Sequence, residues 1–313
     1  MAFALAGSRF AWVGDRVTVA DLASGKRIKL ARSGNENDTV AAVSGSTVMW
    51  LQVTGGNSVV DTLRAAAPGR QKRFGRWGDD DYFLGSGPRL GGLASDGKTL
   101  AYAIYRLTSL EQKSDACYER GICHWKVTGG GTFVVSPGSL SQRRIMRPAT
   151  AVAVEGSIVA AATLKPAARY TGRTQIVLVN LANGSRRSLG TPLPVVQLSL
   201  HGDRLAALIT GRRGPSVRVW NLRTRELVTT RRLPARMKLD HFGLAHGKVV
   251  FLTFTRRHEV VMSVDLRTGR REIVAQIRSS PASGPWIWRG RVLWVERPYS
   301  PHPHALVRSA PLP

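Results

Sequence analysis

The sequence is short of acidic residues, of cysteine and of long apolar runs. Its 313 residues include 20 Asp and Glu against 46 Lys and Arg, which gives a formal net charge of +26, and they include two cysteines. No stretch approaches the roughly 18 consecutive apolar residues of a membrane-spanning helix, and no long helical stripe is present. We therefore expect a soluble, strand-rich protein.

Motifs that carry catalysis or bind cofactors are also missing. The sequence has no G-x-S-x-G, H-E-x-x-H, P-loop or EF-hand pattern, each of which supplies a nucleophile, metal ligands or a phosphate cradle at a fixed spacing. The run Gly129, Gly130 and Gly131 lacks a following Gly-Lys-Ser/Thr, so we interpret it as a hairpin turn or a β-bulge. We expect no cofactor.

A repeated motif is the most informative feature that the sequence does contain. An Asp or Asn precedes Leu at the end of an apolar run in VADLASG, VNLANG, VWNLRTR and VDLRTG, at Asp21, Asn180, Asn221 and Asp265. The last three lie 41 and 44 residues apart. That period is typical of one blade of a β-propeller.

A second series supports the same period. Runs of Val, Ile, Leu, Ala and Phe after a Gly-containing turn open at seven places, and they interleave with the Asp/Asn-Leu motif. Short apolar strands bounded by Gly, Asn, Asp and Pro cannot bury both sheet faces alone, so such units stack radially. The sequence predicts an all-β, seven-bladed propeller of four-stranded antiparallel blades, with an incomplete last blade. We place all 313 residues in one domain, with units at about 1–33, 34–77, 78–147, 148–190, 191–234, 235–277 and 278–313.

The segment HGDRLAALI followed by VRVWNLRTRE resembles the second and third strands of the WD-repeat-like β-propellers of bacteria. The resemblance covers nearly the whole chain and is strong in four units. The sequence lacks the Gly-His dipeptide that opens each eukaryotic WD repeat. The resemblance implies a binding platform more often than an enzyme.

The positive charge indicates anionic partners, such as an anionic polysaccharide, a cell surface or nucleic acid. Part of it falls on predicted outer strands, where basic side chains deter pairing between sheet edges. Another part falls on loops joining second to third strands in five consecutive units, which converge on one face of a propeller. This set could form a positive funnel for an anionic ligand, or could be solvated loop charge. It comprises Arg106, Arg120, Lys165, Arg169, Arg173, Arg212, Arg213, Arg256, Arg257, His258, Arg297, His302 and His304.

Both cysteines lie in the longest interruption of the repeat, 106–124. Cys117 and Cys123 can close a small loop as a disulfide, which favours an extracytoplasmic or secreted protein; two reduced thiols in a cytoplasmic protein are the alternative. The first residues lack the features of a signal peptide. The run Asp79, Asp80 and Asp81 is a weak candidate for calcium, because the ligand spacing of a calcium loop is missing.

These observations favour a monomeric, non-catalytic interaction module that recognises a protein or an anionic polymer on its loop-bearing face. One alternative is a propeller enzyme acting on a polysaccharide or a peptide at the channel mouth, for which Asp240, His241 and Glu296 are the candidate residues. A second alternative is a direct nucleic-acid binder. Most tryptophans fall within strand runs, where they pack a core and do not stack on bases.

Overall fold

The chain is built from β-strands throughout the part that the structure describes. A computed structural model describes residues 2–33, 40–54, 60–77, 87–109, 125–165, 171–211, 214–234, 237–255, 258–277, 281–296 and 305–313. These residues form 27 strands, in two compact units, Met1–Val195 and Val196–Pro313.

The first unit contains four sheets of four antiparallel strands, each in simple sequential order. Sheet 1 is β1 (Ala2–Ala6), β2 (Arg9–Val13), β3 (Arg16–Asp21) and β4 (Arg27–Arg32). Sheet 2 is β5 (Val40–Ser44), β6 (Thr47–Thr54), β7 (Val60–Ala67) and β8 (Arg70–Trp77). Sheet 3 is β9 (Gly87–Ser95), β10 (Leu100–Ser109), β11 (Trp125–Val135) and β12 (Gln142–Met146). Sheet 4 is β13 (Ala149–Glu155), β14 (Ile158–Thr163), β15 (Thr174–Asn180) and β16 (Arg186–Leu193).

The second unit contains three sheets, of which the last has three strands. Sheet 5 is β17 (Val195–His201, whose first residue belongs to the first unit), β18 (Arg204–Ile209), β19 (Ser216–Asn221) and β20 (Leu227–Arg232). Sheet 6 is β21 (Met237–Ala245), β22 (Lys248–Phe254), β23 (Glu259–Asp265) and β24 (Arg271–Ile277). Sheet 7 is β25 (Pro281–Trp288), β26 (Arg291–Glu296) and β27 (Leu306–Pro311).

Seven sequential antiparallel sheets are the blades of a β-propeller, so the predicted fold class is confirmed. The segment AFALA, Ala2–Ala6, is the first strand of the first blade and pairs with Arg9–Val13. The last blade has three strands, as the sequence predicted.

The second strand of each sheet carries apolar side chains on both faces. In β18 all residues after Arg204 are buried, and β14, β22 and β26 show nearly the same pattern. A strand with two apolar faces requires a covering sheet on each side. Inside the second unit, for example, Phe251 of sheet 6 packs with Leu208 and Val219 of sheet 5, and Val250 packs with Trp294 of sheet 7.

The Asp/Asn-Leu motif forms the turn from the third to the fourth strand. The side-chain oxygen of Asp265 accepts hydrogen bonds from the backbone N–H groups of Arg267 (3.0 Å) and Thr268 (2.7 Å). Asp21, Asn180 and Asn221 accept equivalent bonds two or three residues ahead. The N–H of the leucine that follows reaches back to the first turn of its own blade, as from Leu266 to the Gly247 carbonyl at 2.9 Å. The motif therefore holds both turns of a blade together at one end.

The glycine run at 129–131 lies inside β11, so the interpretation as a bulge is correct and the interpretation as a hairpin turn is wrong. The register between β10 and β11 shifts between Arg106 and Leu107, which pair with Gly129 and Val127. Gly130 has a φ of 106°, and a Cβ there would lie 2.1 Å from the Ile104 carbonyl oxygen. The backbone of β11 next to the bulge therefore requires glycine at 130.

We expect Gly130→Ala to destabilise the protein by more than about 2 kcal/mol, because the new methyl group meets backbone that cannot move without breaking the sheet. Gly129→Ala is the matched control, since its nearest neighbour would be the Arg106 Cβ at 3.7 Å. Denaturant unfolding measures both. Equal stability of the two variants would contradict this account of the bulge.

We expect the turn carboxylates to make stability depend on acid pH. Backbone N–H groups of Ser24 and Ala23 lower the pKa of Asp21, and the backbone and side chain of Thr268 lower the pKa of Asp265. A lowered pKa means that the stabilisation is present above the ordinary aspartate range and is lost as pH falls through the folded value. Asn occupies this position in two of the four turns, so the variant Asp21→Asn/Asp265→Asn should keep the fold. Its melting temperature should fall less than that of the wild type when the pH is lowered from 5 to 2. An identical acid dependence of both proteins, measured by calorimetry, would rule this out.

Candidate functional site

A cleft in the second unit opens between sheets 5 and 6, with a volume of about 560 Å³. Its walls are the first turns of both sheets, the outer strand β20 and the third-to-fourth-strand turn of sheet 6. We call it the arginine–histidine cleft. Its polar and charged lining comprises His201, Arg204, Thr229, Arg231, His246, Asp265 and Arg267.

Two histidines face each other at this cleft. The rings of His201 and His246 lie 5.4 Å apart, edge to face. Both are exposed and lie in first-to-second-strand turns. His246 has a φ of 50°, a conformation that the corresponding turn of sheet 5 gives to Gly202 (59°). A non-glycine residue in this region is uncommon, although histidine tolerates it better than most, so the turn presents an imidazole where its neighbour presents none.

The arginines at the cleft have different roles. Arg231 donates from Nε to the Leu266 carbonyl at 2.9 Å and from Nη2 to the Arg267 carbonyl, so it ties β20 to the turn of the next blade. Arg204 lies 3.5 Å from a carboxylate oxygen of Asp203, which also lies 3.9 Å from Arg223. One exposed carboxylate shared between two arginines leaves net positive charge beside the cleft.

The acidic residue of the lining is already engaged. Asp265 accepts the Arg267 and Thr268 backbone bonds and a bond from the Thr268 hydroxyl at 2.9 Å. Three arginines and one aspartate line the cleft, so these four side chains together carry two net positive charges. The cleft therefore suits an anionic group, and its apolar wall of Val219, Val228 and Leu244 suits a carbon skeleton beside it.

The cleft lies at the opposite end of the strands from the loops that the sequence favoured. In an antiparallel sheet of four sequential strands, the first and third turns share one end and the second-to-third loop lies at the other. The arginine–histidine cleft uses the first and third turns. The predicted funnel uses the second-to-third loops.

Besides Lys165, three of the thirteen funnel candidates fall among the described residues. Arg106 is exposed on β10, opposite the bulge. Arg173 donates from Nε (3.2 Å) and Nη2 (3.0 Å) to the Pro192 carbonyl, which ties it to the outer strand of its own sheet. His258 is exposed and closes a short turn with Thr255, whose hydroxyl donates to the His258 carbonyl at 2.9 Å.

The other funnel candidates lie outside the described residues, apart from exposed Lys165, so the funnel stays a prediction. The cysteine pair and the aspartate run also lie outside them. These predicted residues are Arg120, Arg169, Arg212, Arg213, Arg256, Arg257, Arg297, His302, His304, Cys117, Cys123, Asp79, Asp80 and Asp81.

Of the three candidates for the enzyme alternative, Glu296 has a described side chain. Glu296 is 6% exposed, and it accepts a hydrogen bond from Trp294 Nε1 at 2.6 Å and lies 3.6 Å from Arg308 Nε. This carboxylate is part of an internal contact of sheet 7. Asp240 and His241 lie on β21, where the structure describes the backbone of these two residues.

The basic residues on outer strands have a second use besides edge protection. As predicted, they lie on fourth strands or the turns before them. Several donate to carbonyl oxygens of the neighbouring sheet in the same unit: Lys72 Nζ to Leu140 (3.1 Å) and Arg231 to Leu266. A cation that stabilises a carbonyl needs no acid as partner, so part of the imbalance between basic and acidic residues is structural.

Sequence reasoning missed His201, His246 and Arg204. Their signal in the sequence was weak: two of the three belong to His-Gly pairs, and such pairs between apolar runs indicate a turn and no particular function. They lie one blade apart along the chain, and their approach depends on how sheet 5 packs on sheet 6.

No helix in the described ranges is long and apolar enough to cross a membrane. Within the same ranges, no three His, Cys, Asp or Glu side chains are grouped so as to hold a metal ion.

No protein-family model and no curated protein matches the sequence. Solved structures do match. The β-propeller domain of the trilobed protease from Pyrococcus furiosus matches with a TM-score of 0.56 and 12% identity, over 99% of this chain and 94% of that chain. Hsv2 from Kluyveromyces lactis matches with a TM-score of 0.53 and 9% identity, over 100% of this chain and 98% of that chain. Acylaminoacyl peptidase from Pyrococcus horikoshii matches with a TM-score of 0.54 and 12% identity, over 99% of this chain and 52% of that chain.

These likenesses concern the fold. At such identities they define the class, a β-propeller, and the match to about half of the peptidase chain is a match to a part of that protein. The resemblance to propellers that the repeats suggested is supported at the level of fold.

We expect Arg231→Ala to lower the free energy of unfolding by about 1 kcal/mol, because it removes two charge-assisted bonds to backbone carbonyls at a half-buried site. Arg232→Ala is the matched control, since this neighbouring arginine is exposed. Thermal unfolding compares the two. A loss of stability for Arg232→Ala as large as for Arg231→Ala would contradict the assigned role.

Proposed function

We propose that the protein is a non-catalytic interaction module that binds an anionic segment of a macromolecule in the arginine–histidine cleft. The observation that carries the proposal is the charge of the lining: three arginines and two imidazoles surround an aspartate that is consumed by its own turn. An anion bound there meets guanidinium and imidazole donors, and the one carboxylate of the lining, Asp265, is held by the hydrogen bonds of its own turn.

The size and composition of the cleft support the same proposal. A volume of about 560 Å³ holds a short stretch of a polymer, and pockets that bind ligands commonly combine apolar walls with a few convergent polar groups. The solved structures that this chain resembles include the propeller domain of a protease. The link between propeller and protease is a property of that protein, and it offers a precedent for a propeller as an accessory module.

The net charge of +26 assists the encounter with a polyanion. Summed positive charge raises the association rate of an anionic partner at low salt and does little to specify it. Specificity then depends on the local arrangement of arginine and histidine side chains. We propose the loop arginines of the opposite face as the competing location.

The test compares the two faces directly. We expect Arg204→Ala/Arg267→Ala to weaken binding of a heparin decasaccharide or a labelled decaglutamate by three- to tenfold, since each exposed charge pair contributes about 0.2–1 kcal/mol. The salt dependence of binding should fall as well, because fewer counterions are released. Titrations at several salt concentrations measure both quantities.

Two further variants serve as controls with equal loss of charge. Arg186→Ala/Arg187→Ala alters exposed residues of β16 and should bind as wild type. Arg212→Ala/Arg256→Ala tests the loop face. An equal effect of the cleft and β16 variants would mean that the charge acts diffusely and that the cleft is not the site; a loss confined to the loop variant would move the site to the opposite face.

A further inference from the structure

The last sheet differs from the other six at its outer edge. In sheets 1 to 6 the third strand is covered by a fourth, whereas the described residues give sheet 7 three strands, of which β27 is the outermost. The third strand of sheet 5, Ser216–Asn221, alternates between buried and half-buried residues. Five of the six residues of β27 are exposed, including Leu306 at 38% and Val307 at 46%.

The composition of β27 is that of an interior strand. The outer strands that form the edges of the other sheets are basic: β8 carries Arg70, Lys72, Arg73 and Arg76, and β20 carries Arg231 and Arg232. Charged side chains along an edge discourage the addition of another strand. β27 has one basic residue, Arg308, and no other charge. Its edge is therefore open to pairing in a way that the edges of β8 and β20 are not.

A guanidinium group lies near this edge on each face of the sheet. On one face Arg308 pairs in register with Trp294, and its Nε lies 3.6 Å from Glu296, while about half of its side chain stays exposed. On the other face Arg291 donates from Nε (3.2 Å) and Nη2 (3.0 Å) to the Ser309 hydroxyl. Arg308 and Arg291 thus place positive charge on opposite faces of the sheet, at the successive positions 308 and 309 of β27.

We propose that the outer edge of β27 binds an extended segment of a partner protein, which adds to sheet 7 as an antiparallel fourth strand. Main-chain hydrogen bonds of such an added strand supply affinity, and side chains at alternate positions supply selectivity. The segment carries acidic residues opposite Ser309 and Arg308 and an apolar residue opposite Val307. Read in its own direction, it contains acidic, acidic and apolar residues in succession.

Charge decides the kind of occupant. A second copy of this chain would bring Arg308 and Arg291 against their own counterparts in a protein of net charge +26, so like charges would oppose each other across the new pair. An acidic segment instead finds a cation on each face. The antiparallel direction follows from the fourth strands of the other six sheets, all of which run antiparallel to the third.

The first experiment uses the unmodified protein and a fluorescein-labelled peptide of sequence SEEVTVT. We expect saturable binding by anisotropy, and we expect hydrogen exchange to slow within residues 305–313. Two peptides methylated on alternate backbone nitrogens separate main-chain pairing from side-chain contact, because the two sets of N–H groups of a strand point in opposite directions. One methylated peptide should lose binding and the other should keep it. No binding, equal binding of both methylated peptides, or protection elsewhere would overturn the proposal.

The second experiment changes one charge without disturbing a buried pair. Arg291→Glu should weaken SEEVTVT binding roughly five- to tenfold, as expected for reversal of an exposed charge pair, and the peptide SKEVTVT should recover affinity for that variant. Arg186→Glu on β16 is the matched control and should bind SEEVTVT as wild type does. Failure of the lysine peptide to recover affinity would mean that Arg291 does not face the peptide, and would overturn the assigned register.

The cleft variant Arg204→Ala/Arg267→Ala separates this inference from the proposed function. We expect it to bind SEEVTVT as tightly as wild type, because the edge of β27 lies on another sheet. If that variant loses the peptide, the acidic segment binds the arginine–histidine cleft, the proposal for β27 is wrong and the proposed function stands. If it binds the peptide, heparin and decaglutamate as tightly as wild type does, the cleft is not the binding site. The proposed function is then wrong and the proposal for β27 stands.

Discussion

The second strand of each sheet, apolar on both faces, is the constraint on which the rest of the structure depends. Such a strand cannot be satisfied by one covering layer, so each sheet inside a unit packs against the next. Apolar side chains such as Leu208, Val250 and Phe251 supply this burial. Each fully buried side chain of this kind contributes about 1.5–3 kcal/mol, and the repeat distributes that contribution along the chain.

The turns between strands place polar and charged side chains at the ends of the packed blades. The Asp/Asn-Leu motif holds the first and third turns of a blade together, and cations on the outer strand of one sheet donate to carbonyls of the next, as Arg231 does to Leu266. Both devices operate at the end of the blades where the arginine–histidine cleft lies. The cleft is therefore a consequence of blade packing, and His246, which faces His201, occupies a turn position that most blades give to glycine.

Charge has two separable uses in this chain. Arginines on outer strands protect edges and stabilise neighbouring carbonyls, which accounts for part of the excess of basic over acidic residues without any ligand. Arg204, Arg267 and Arg308 are different, because they lie at the cleft or on β27, the two places where we propose that a partner binds. The distinction depends on what each guanidinium contacts, and its position in the sequence does not reveal it.

The sequence by itself determined the fold class, the number of blades, the three-stranded last sheet and the turn motif at Asp21, Asn180, Asn221 and Asp265. These features depend on interactions within one repeat unit, which leave a periodic pattern of apolar runs and turn formers. The tertiary structure decided the position of the cleft, the pairing of His201 with His246 and the exposure of β27. Each of these depends on which residues of different strands or blades come together, and on whether a strand has a neighbour. Sheet register and packing determine both, and a single repeat unit does not contain that information.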